Sequence, residues 1–275
     1  SAAQQVFDYA YTIPRFSSTG CLKEILFICE KENIHAVLPI INLAVEFLNT
    51  HRKAFEKAGV KLLLNGKKAI RICHDKLKLG QFCKQNRITT PEIFNPLDGE
   101  LPFPLFAKQR RGEGGKNSMV LGNLHDLEYC RRKFPNHIFQ QFIQGREFSI
   151  DWYSDFGGNS RVLVPRERLF VRAGEVMISQ ICLHPLVIET VSRIGKALQL
   201  LGPCTLQGFL AEEKFYLTDI NLRFGSGFIH TIVAGADVSL LLFNELLGEE
   251  SPTLNPVEDG LIMTRFNDGF YYNID

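Results

Sequence analysis

Several residue types and patterns are scarce in this sequence. Its seven cysteines include no CxxC pair and no histidine at zinc-ligand spacing, so neither a zinc site nor a disulfide framework is predicted, and a reducing, cytoplasmic location is expected. No apolar run approaches the roughly 20 residues that cross a bilayer. With 31 basic and 30 acidic side chains, the chain lacks the positive excess that binds nucleic acid. Neither a nucleic acid nor a membrane is therefore expected as a partner.

Two common nucleotide-binding motifs are also missing. No GxGxxG turn follows a first strand, which disfavours a dinucleotide-dependent oxidoreductase. No GKS or GKT sequence is present, so the chain carries no Walker loop. Any phosphate chemistry must come from other residues.

The first part of the chain has an α/β rhythm. At 275 residues, with 45% hydrophobic and 22% charged residues, the sequence is typical of a globular protein of about two domains. Apolar residues recur at helical spacing over residues 22–30 and 44–58, and short apolar runs at 34–40 and 60–64 indicate strands. Alternation of this kind predicts parallel strands joined by helices. A further helix is predicted over residues 75–85, with Asp75 as its N-cap.

The rest of the chain reads as two further units. A proline-rich passage at Pro91, Pro96, Pro102 and Pro104 marks a boundary, and residues 105–141 then form a small α+β module around a glycine-rich loop. The later segments predict a mostly antiparallel sheet with helices: extended stretches at 147–153 and 161–165, a helix at 185–200, and a hairpin of 205–210 with 215–224. The predicted domains are residues 1–75, 76–144 and 145–275.

The segment from Thr218 to Gly227 is the most informative. Because side chains alternate along a strand, Asp219, Asn221 and Arg223 share one face. A short turn brings Gln207 of the partner strand opposite Asp219. A carboxylate with two amide oxygens suits Mg²⁺ or Mn²⁺, and an arginine beside them can stabilise oxyanion charge. An amphipathic strand with a solvated polar face would give the same pattern.

Two lysines and a glycine loop could contact phosphate. A strand ends at Lys108 and is followed by a loop that contains Gly114 and Gly115, whose backbone N–H groups could approach phosphate oxygens. Lys76 opens the helix that leads into this module. A mobile surface hairpin and a solvated surface lysine are the alternative readings.

Residues 138–151 join an apolar strand to an alternating strand through a glycine. Backbone amides at such a crossover can read an adenine edge, and Glu147 can accept ribose hydroxyl hydrogens. A plain linker between two sheets is the alternative.

In this order, these elements closely resemble the ATP-grasp superfamily, and most of all the carbamoyl-phosphate synthase large-chain type with its stand-alone relatives. The DxNxRxGxG segment is the most specific part of a resemblance that spans most of the chain. It implies a fold of mixed α/β and α+β character, with a partial Rossmann-like N-terminal domain, a small α+β lid and an antiparallel-sheet C-terminal domain. It further implies roles for individual residues: Lys76 and Lys108, with Gly114 and Gly115, as phosphate contacts; Gln140, Gln141, Phe142 and Ile143 as the adenine hinge; Glu147 as the ribose acceptor; Gln207, Asp219 and Asn221 as metal ligands; and Arg223, with Lys108, as the catalytic groups.

The sequence departs from the family pattern in places. Asp219 stands where the family usually has the longer Glu, and Gln109 follows Lys108 where Pro is common. A basic element at Arg166 and Arg168 resembles one near the phosphates in some relatives, so Arg166 is a further nucleotide-binding candidate. The opening strand and glycine turn of the family are missing, so we expect an incomplete first domain.

The resemblance implies an ATP-dependent ligase. Such an enzyme uses Mg-ATP to activate a small-molecule carboxylate as an acyl phosphate, which an amine or similar nucleophile captures; a homodimer is possible. The alternative is a nucleotide-binding module of low or no activity, for which loss of Arg223 or of the metal residues would be the expected sign. Those residues are intact.

Overall fold

The N-terminal unit is a thin α/β layer. The computed structural model describes residues 7–112, 114–266, 269 and 271. The two short strands of the N-terminal unit pair in parallel, as the α/β rhythm predicted, but each has only two residues. The helix predicted at 44–58 is interrupted at His51, and a helix before Asp75 was not predicted. The elements are α1 (Cys21–Lys31), β1 (Ala36–Val37), α2 (Asn42–Thr50), α3 (Arg52–Lys57), β2 (Lys61–Leu62) and α4 (Lys67–Cys73).

A separate four-stranded sheet follows, in the order β3-β6-β4-β5. Asp75 caps the helix that leads into it, accepting hydrogen bonds from Leu77 N and Lys78 N at 3.1 and 3.4 Å, as predicted. The proline-rich passage contributes the edge strand of this sheet. A small core of its own, which includes Leu105, Leu127 and Phe139, holds the unit together. Its elements are α5 (Lys76–Gln85), β3 (Ile93–Phe94), β4 (Leu105–Gln109), β5 (Met119–Leu121), α6 (Leu124–Lys133) and β6 (His137–Gln141).

The C-terminal unit is an antiparallel sheet of six strands in the order β11-β10-β7-β8-β9-β12. The predicted hairpin is present, and the strand predicted at 161–165 extends much further. Two strands of this sheet, Glu175–Ile181 and Ile262–Thr264, were not predicted. The elements are β7 (Arg146–Ser154), β8 (Ser160–Arg172), β9 (Glu175–Ile181), α7 (Pro185–Leu198), β10 (Gly202–Ala211), β11 (Lys214–Asn221), α8 (Phe228–Val233), α9 (Val238–Leu247) and β12 (Ile262–Thr264).

The main core joins the first and last units. Phe148, Ile150 and Trp152 alternate along β7 and pack on one face of the sheet, against apolar residues of α7 and of the N-terminal helices. Glu147, Ser149 and Asp151 therefore lie on the opposite face. That polar face lies opposite the four-stranded sheet. A cleft that can admit a ligand separates the two sheets. No helix in the described ranges is long and apolar enough to cross a membrane.

Candidate active site

A cavity of about 590 Å³ lies between the four-stranded sheet and the polar face of the six-stranded sheet. This volume is within the range of small-molecule and cofactor pockets. Its walls come from α5, the glycine loop after β4, the end of β6 and the central strands β7, β8, β10 and β11. The four-stranded sheet with its loop thus forms a lid, as predicted.

The cavity floor contains a polar row across four adjacent strands. Gln207 on β10 lies directly opposite Asp219 on β11 and directly opposite Ser149 on β7, and Ser149 in turn lies opposite Arg166 on β8. Residues that are paired in this way point to the same face of a sheet. All four line the cavity.

The alternation predicted for β11 is confirmed. Asp219, Asn221 and Arg223 line the cavity, whereas Ile220 and Leu222 are each 3% exposed and belong to the main core. A one-residue slip of register would have turned the polar set into the core. Lys108 of the lid contacts Asp219 on this polar face, so the face is not the open surface of an ordinary amphipathic strand.

Two lysines from different elements meet at the carboxylate of Asp219. Lys108 Nζ, from the lid strand β4, is 2.8 Å from Asp219 Oδ2, and Lys76 Nζ, from α5, is 3.3 Å from Asp219 Oδ1. Burial alone would raise the pKa of Asp219, but the two ammonium groups outweigh it and hold that pKa below its ordinary value. Burial lowers the pKa of Lys108, and the attraction of Asp219 opposes that shift only in part.

An ion pair of Asp75, next to Lys76, holds the start of α5. Asp75 caps this helix and is also bound by the two ends of the Arg110 guanidinium at 2.8 and 2.7 Å. Lys76 Nζ donates to Gly112 O at 2.9 Å, so one side chain touches both the glycine loop and Asp219. This helix terminus and the lid are therefore linked by charge at the mouth of the cavity.

The glycine loop needs its glycines for conformation and for close approach. Gly114 and Gly115 have φ angles of 71° and 63°, in the left-handed region that favours glycine. Gly174, in the turn between β8 and β9, lies so near the loop that a Cβ on it would be 3.1 Å from Gly114 O. The loop thus rests over the cavity against the β8–β9 hairpin.

The crossover from the lid to the large sheet borders the same cavity. Gln140, Gln141, Phe142 and Ile143 all line it. A Cβ on Gly145 would overlap the backbone of Leu210, so the chain can turn here only with a glycine. Glu147 is 2.9 Å from Arg168 Nη1, yet burial raises the pKa of Glu147 despite that arginine.

The GxG sequence after Arg223 passes over the polar row. A Cβ on Gly225 would lie 2.6 Å from Thr205 Oγ1, and one on Gly227 would lie 2.5 Å from Arg166 Nη1. These contacts explain the two glycines of the DxNxRxGxG segment. They also place Arg166 beneath the loop, where two of its nitrogens bind Asp151 at 2.7 and 3.0 Å.

Comparisons with known proteins agree with this architecture. Residues 133–268 match the family model described as "ATP-grasp in the biosynthetic pathway with Ter operon", and residues 1–63 match the "PylC-like, N-terminal domain" model. Carbamoyl-phosphate synthase of Methanobrevibacter smithii is 24% identical over 92% of the chain and 73% of that protein. The chain belongs to the ATP-grasp superfamily.

Solved structures show the same fold. A biotin carboxylase from Campylobacter jejuni, in complex with β,γ-ATP, gives a TM-score of 0.74 at 18% identity, covering 92% of this chain and 64% of that one. An L-amino acid ligase from Bacillus licheniformis gives 0.68 at 21% identity, covering 85% and 62%. The ATP-grasp chain covers 21% of the carbamoyl phosphate synthase large chain of Thermoanaerobacter sp., to which it is 26% identical over 74% of its own length.

In this ATP-grasp fold the structure brings every predicted site residue to one cavity. Those residues are Lys76, Lys108, Gly114, Gly115, Gln140, Gln141, Phe142, Ile143, Glu147, Arg166, Gln207, Asp219, Asn221 and Arg223. Arg166 differs from the rest because it is 1% exposed and engaged with Asp151. Its environment is that of a support for the loop at Gly227, with only Nη1 lacking a partner among the described residues.

The donor set of the ATP-grasp cavity suits a hard cation. Among the described residues no three His, Cys, Asp or Glu side chains converge on one point, which disfavours a cage made of protein ligands alone. Asp219, Gln207 and Asn221 supply only oxygen as possible ligand atoms, and Mg²⁺ is commonly held by one or two carboxylates completed by water and nucleotide phosphates. The residues therefore fit a magnesium ion that enters together with a nucleotide.

Asn42 is a site neighbour that sequence reasoning missed. Its Nδ2 donates to Asn221 Oδ1 at 3.1 Å, although the two residues are 179 positions apart. No local pattern in the sequence marks this residue as part of a site.

Proposed function

We propose that this ATP-grasp chain binds Mg-ATP in the cleft and activates a carboxylate as an acyl phosphate for capture by an amine or similar nucleophile. The observation that carries the proposal is the meeting of Lys76 and Lys108 at Asp219, directly opposite Gln207. Two cations from separate elements, above a floor of oxygen donors, suit a polyphosphate with its metal. The structural relatives include both a carboxylase and an amino acid ligase.

Different residues contact different parts of the nucleotide. The hinge at Gln140–Ile143 receives the adenine, and Glu147 accepts hydrogen bonds from the ribose hydroxyls. Lys76 and Lys108 contact the phosphates, while the backbone of the glycine loop closes over them. Asp219, Gln207 and Asn221 would hold Mg²⁺, which would supply positive charge to the transferring phosphoryl group.

The proposed reaction has two steps. A carboxylate oxygen attacks the γ-phosphorus, the bond from that phosphorus to the β,γ-bridging oxygen breaks, and ADP leaves. The nucleophile then attacks the acyl carbon, the bond from this carbon to the phosphate oxygen breaks, inorganic phosphate leaves, and an amine gives up a proton. Lys108 and Arg223 stabilise the negative charge that develops in these steps, chiefly by fixed position and electrostatics.

Trapping the acyl phosphate with hydroxylamine tests the function. The chain is incubated with Mg-ATP, hydroxylamine and amino acids, dipeptides or bicarbonate in turn, and ADP and hydroxamate are measured. We expect ADP release that depends on one class of acid and that falls by about 100-fold in Arg223→Ala, because one charge-assisted contact is lost. Arg161→Ala, an exposed arginine away from the cavity, is the matched control.

Two outcomes would contradict the proposal. ADP release that is independent of every acid and unchanged in Arg223→Ala would exclude catalysis in this cavity. Nucleotide binding without ADP release in any mixture would favour the alternative of a nucleotide-binding module.

A further inference from the structure

Asn42 joins the N-terminal unit to the cavity floor. It is the first residue of α2, and its Nδ2 donates to the Oδ1 of Asn221 at 3.1 Å. Asn221 lies two residues after Asp219 on the same face of β11. The contact therefore reaches one of the three proposed oxygen donors from a different unit of the protein.

The direction of this hydrogen bond determines which atom Asn221 can offer to a cation. A side-chain amide presents an oxygen at one end and an NH₂ group at the other, and only the oxygen binds Mg²⁺. A donor on Asn42 stabilises the orientation in which Asn221 Oδ1 is held at this point. That oxygen has two lone pairs, so it can accept the hydrogen bond and still coordinate a metal.

The helix and the strand are fixed relative to each other by one core. Val45 and Leu48 of α2 are buried at 0% and 3% exposure, and they belong to the same hydrophobic cluster as Ile220 of β11. The preceding Ile41 is extended, with φ −134° and ψ 150°, so α2 begins at Asn42 itself. The packing of α2 against the core that it shares with β11 thus places Asn42 next to the site, without a flexible segment between the helix and this core.

We propose that Asn42 is a positioning residue for the metal site and acts through Asn221. It does not touch the nucleotide; it orients the amide of a ligand from outside the site, as residues around metal ligands commonly do. The inference rests on the proposed function, since it requires that Asn221 bind a metal ion. It also gives the N-terminal unit a part in the catalytic site, beyond covering the back of the sheet.

Manganese binding tests the inference without an activity assay. Mn²⁺ is titrated into the chain in the presence of ADP and followed by electron paramagnetic resonance, and ADP binding in EDTA is measured by calorimetry. We expect Asn42→Leu to raise the Kd for Mn²⁺ by about tenfold, the lower end of the effect of removing an outer-shell partner. Its metal-free affinity for ADP should stay within about twofold of wild type, because a positioning residue leaves the lysines unaffected. Leu43→Ala, the next and exposed residue of α2, is the matched control and should change neither value.

A double-mutant cycle separates positioning from general damage. In the Asn221→Ala background, Asn42→Leu should have no further effect on Mn²⁺ binding, because the group through which it acts is gone. An unchanged Mn²⁺ affinity in Asn42→Leu, an equal loss of metal-free ADP affinity, or an undiminished effect in the Asn221→Ala background would each overturn the inference. If the wild-type chain with ADP bound no Mn²⁺ at all, the proposed function itself would fail.

Discussion

Two lysines compensate the negative charge of Asp219. Its carboxylate contacts both Lys76 and Lys108, and the second of these lysines is 6% exposed. The same lysines are the proposed phosphate contacts, so phosphate and Asp219 compete for them. Under the proposed function, phosphate would take the lysines and leave the carboxylate to a metal, so we expect metal and nucleotide to bind together.

Asp219→Asn should therefore shift nucleotide binding in opposite directions with and without metal. In EDTA the affinity for ADP should rise, because no carboxylate competes for the lysines. The gain in affinity that Mg²⁺ confers should be largely lost, since the only acidic ligand of the set is removed. Calorimetric titrations in EDTA and in Mg²⁺ measure both quantities. If the variant kept the magnesium dependence of wild type, the acidic metal ligand would be a residue other than Asp219. Glu212 and Glu213 at the hairpin tip would be the next candidates.

The loss of Asp219 also leaves two lysines without their anion. One of them, Lys108, is largely buried, and an unpaired charge in such a place is costly. We therefore expect a lower melting temperature for Asp219→Asn than for wild type in the absence of nucleotide. Asparagine nearly preserves the shape of the side chain, so a loss of stability would come from the two broken ion pairs.

His230 makes a pH-dependent contribution to stability. It is 2% exposed, its Nδ1 lies 2.9 Å from Ser179 Oγ, and burial together with Arg166 lowers its pKa below the ordinary value of 6.5. Between that value and the lower folded one, the unfolded chain binds more protons than the folded chain, so stability rises with pH and is lost on acidification.

Replacement of His230 should remove part of this acid sensitivity. Urea midpoints at about pH 7.5 and about pH 5.5 should differ less in His230→Asn than in wild type, because asparagine keeps a polar group near Ser179 but does not titrate. His125→Asn, at an exposed position, should behave as wild type does. An equal decline in all three proteins would show that His230 does not titrate in this window.

At the scale of single residues, the sequence predicted what local periodicity determines. Period-two alternation and a short turn were sufficient to place Gln207 opposite Asp219. The contact of Asn42 and the depth of Lys108 depend on how distant units pack, and no local pattern carries that information. The close approach of Arg166 to Gly227 could not be predicted for the same reason.

At the scale of elements, strongly patterned segments were predicted well and weakly patterned ones were missed. Helices α1, α5 and α7 and the β10–β11 hairpin occur near their predicted positions. Strand β12 has three residues on the edge of a sheet, and β8 runs into an exposed half whose side chains show little apolar alternation. Such strands are specified by their partners more than by their own residues.

Two helical glycines offer a matched test of element packing. Gly80 lies in α5 and Gly195 in α7, so alanine should improve the helix propensity of each by up to about 1 kcal/mol. A Cβ on Gly80 would meet only the flexible end of Ile93, whereas one on Gly195 would overlap the ring of Trp152, which is 2% exposed. Because a buried ring cannot yield, we expect Gly80→Ala to be neutral or stabilising, and Gly195→Ala to destabilise by about 1–2 kcal/mol.

Urea unfolding of both variants checks this pair. Equal changes in the free energy of unfolding of the two variants would mean that the packing of Trp152 does not require a glycine at position 195. A loss confined to Gly195→Ala would confirm that α7 packs against β7 through this contact.

At the scale of the whole molecule, the N-terminal helices and the large sheet share one core, while the lid has its own. Two bodies face each other across the cavity, and the ion pairs of Lys76, Lys108 and Asp219 connect them. The domain boundaries at residues 75/76 and 144/145, the cytoplasmic location and the homodimer stay predictions. Because the chain covers about a fifth of the bacterial large chains, their activity does not transfer to it by similarity alone.

The dissociation constant of Mg-ADP for Lys108→Met, compared with wild type, tests most directly whether the cleft is a nucleotide site. Methionine keeps the apolar stem of the side chain but removes the charge. A charge-assisted phosphate contact contributes about 1.5–3 kcal/mol, so calorimetry should show an affinity about 10- to 100-fold weaker. Lys78→Met, on α5 but outside the cavity, should bind as wild type does. An unchanged Mg-ADP affinity in Lys108→Met would contradict the assignment of this cleft to ATP.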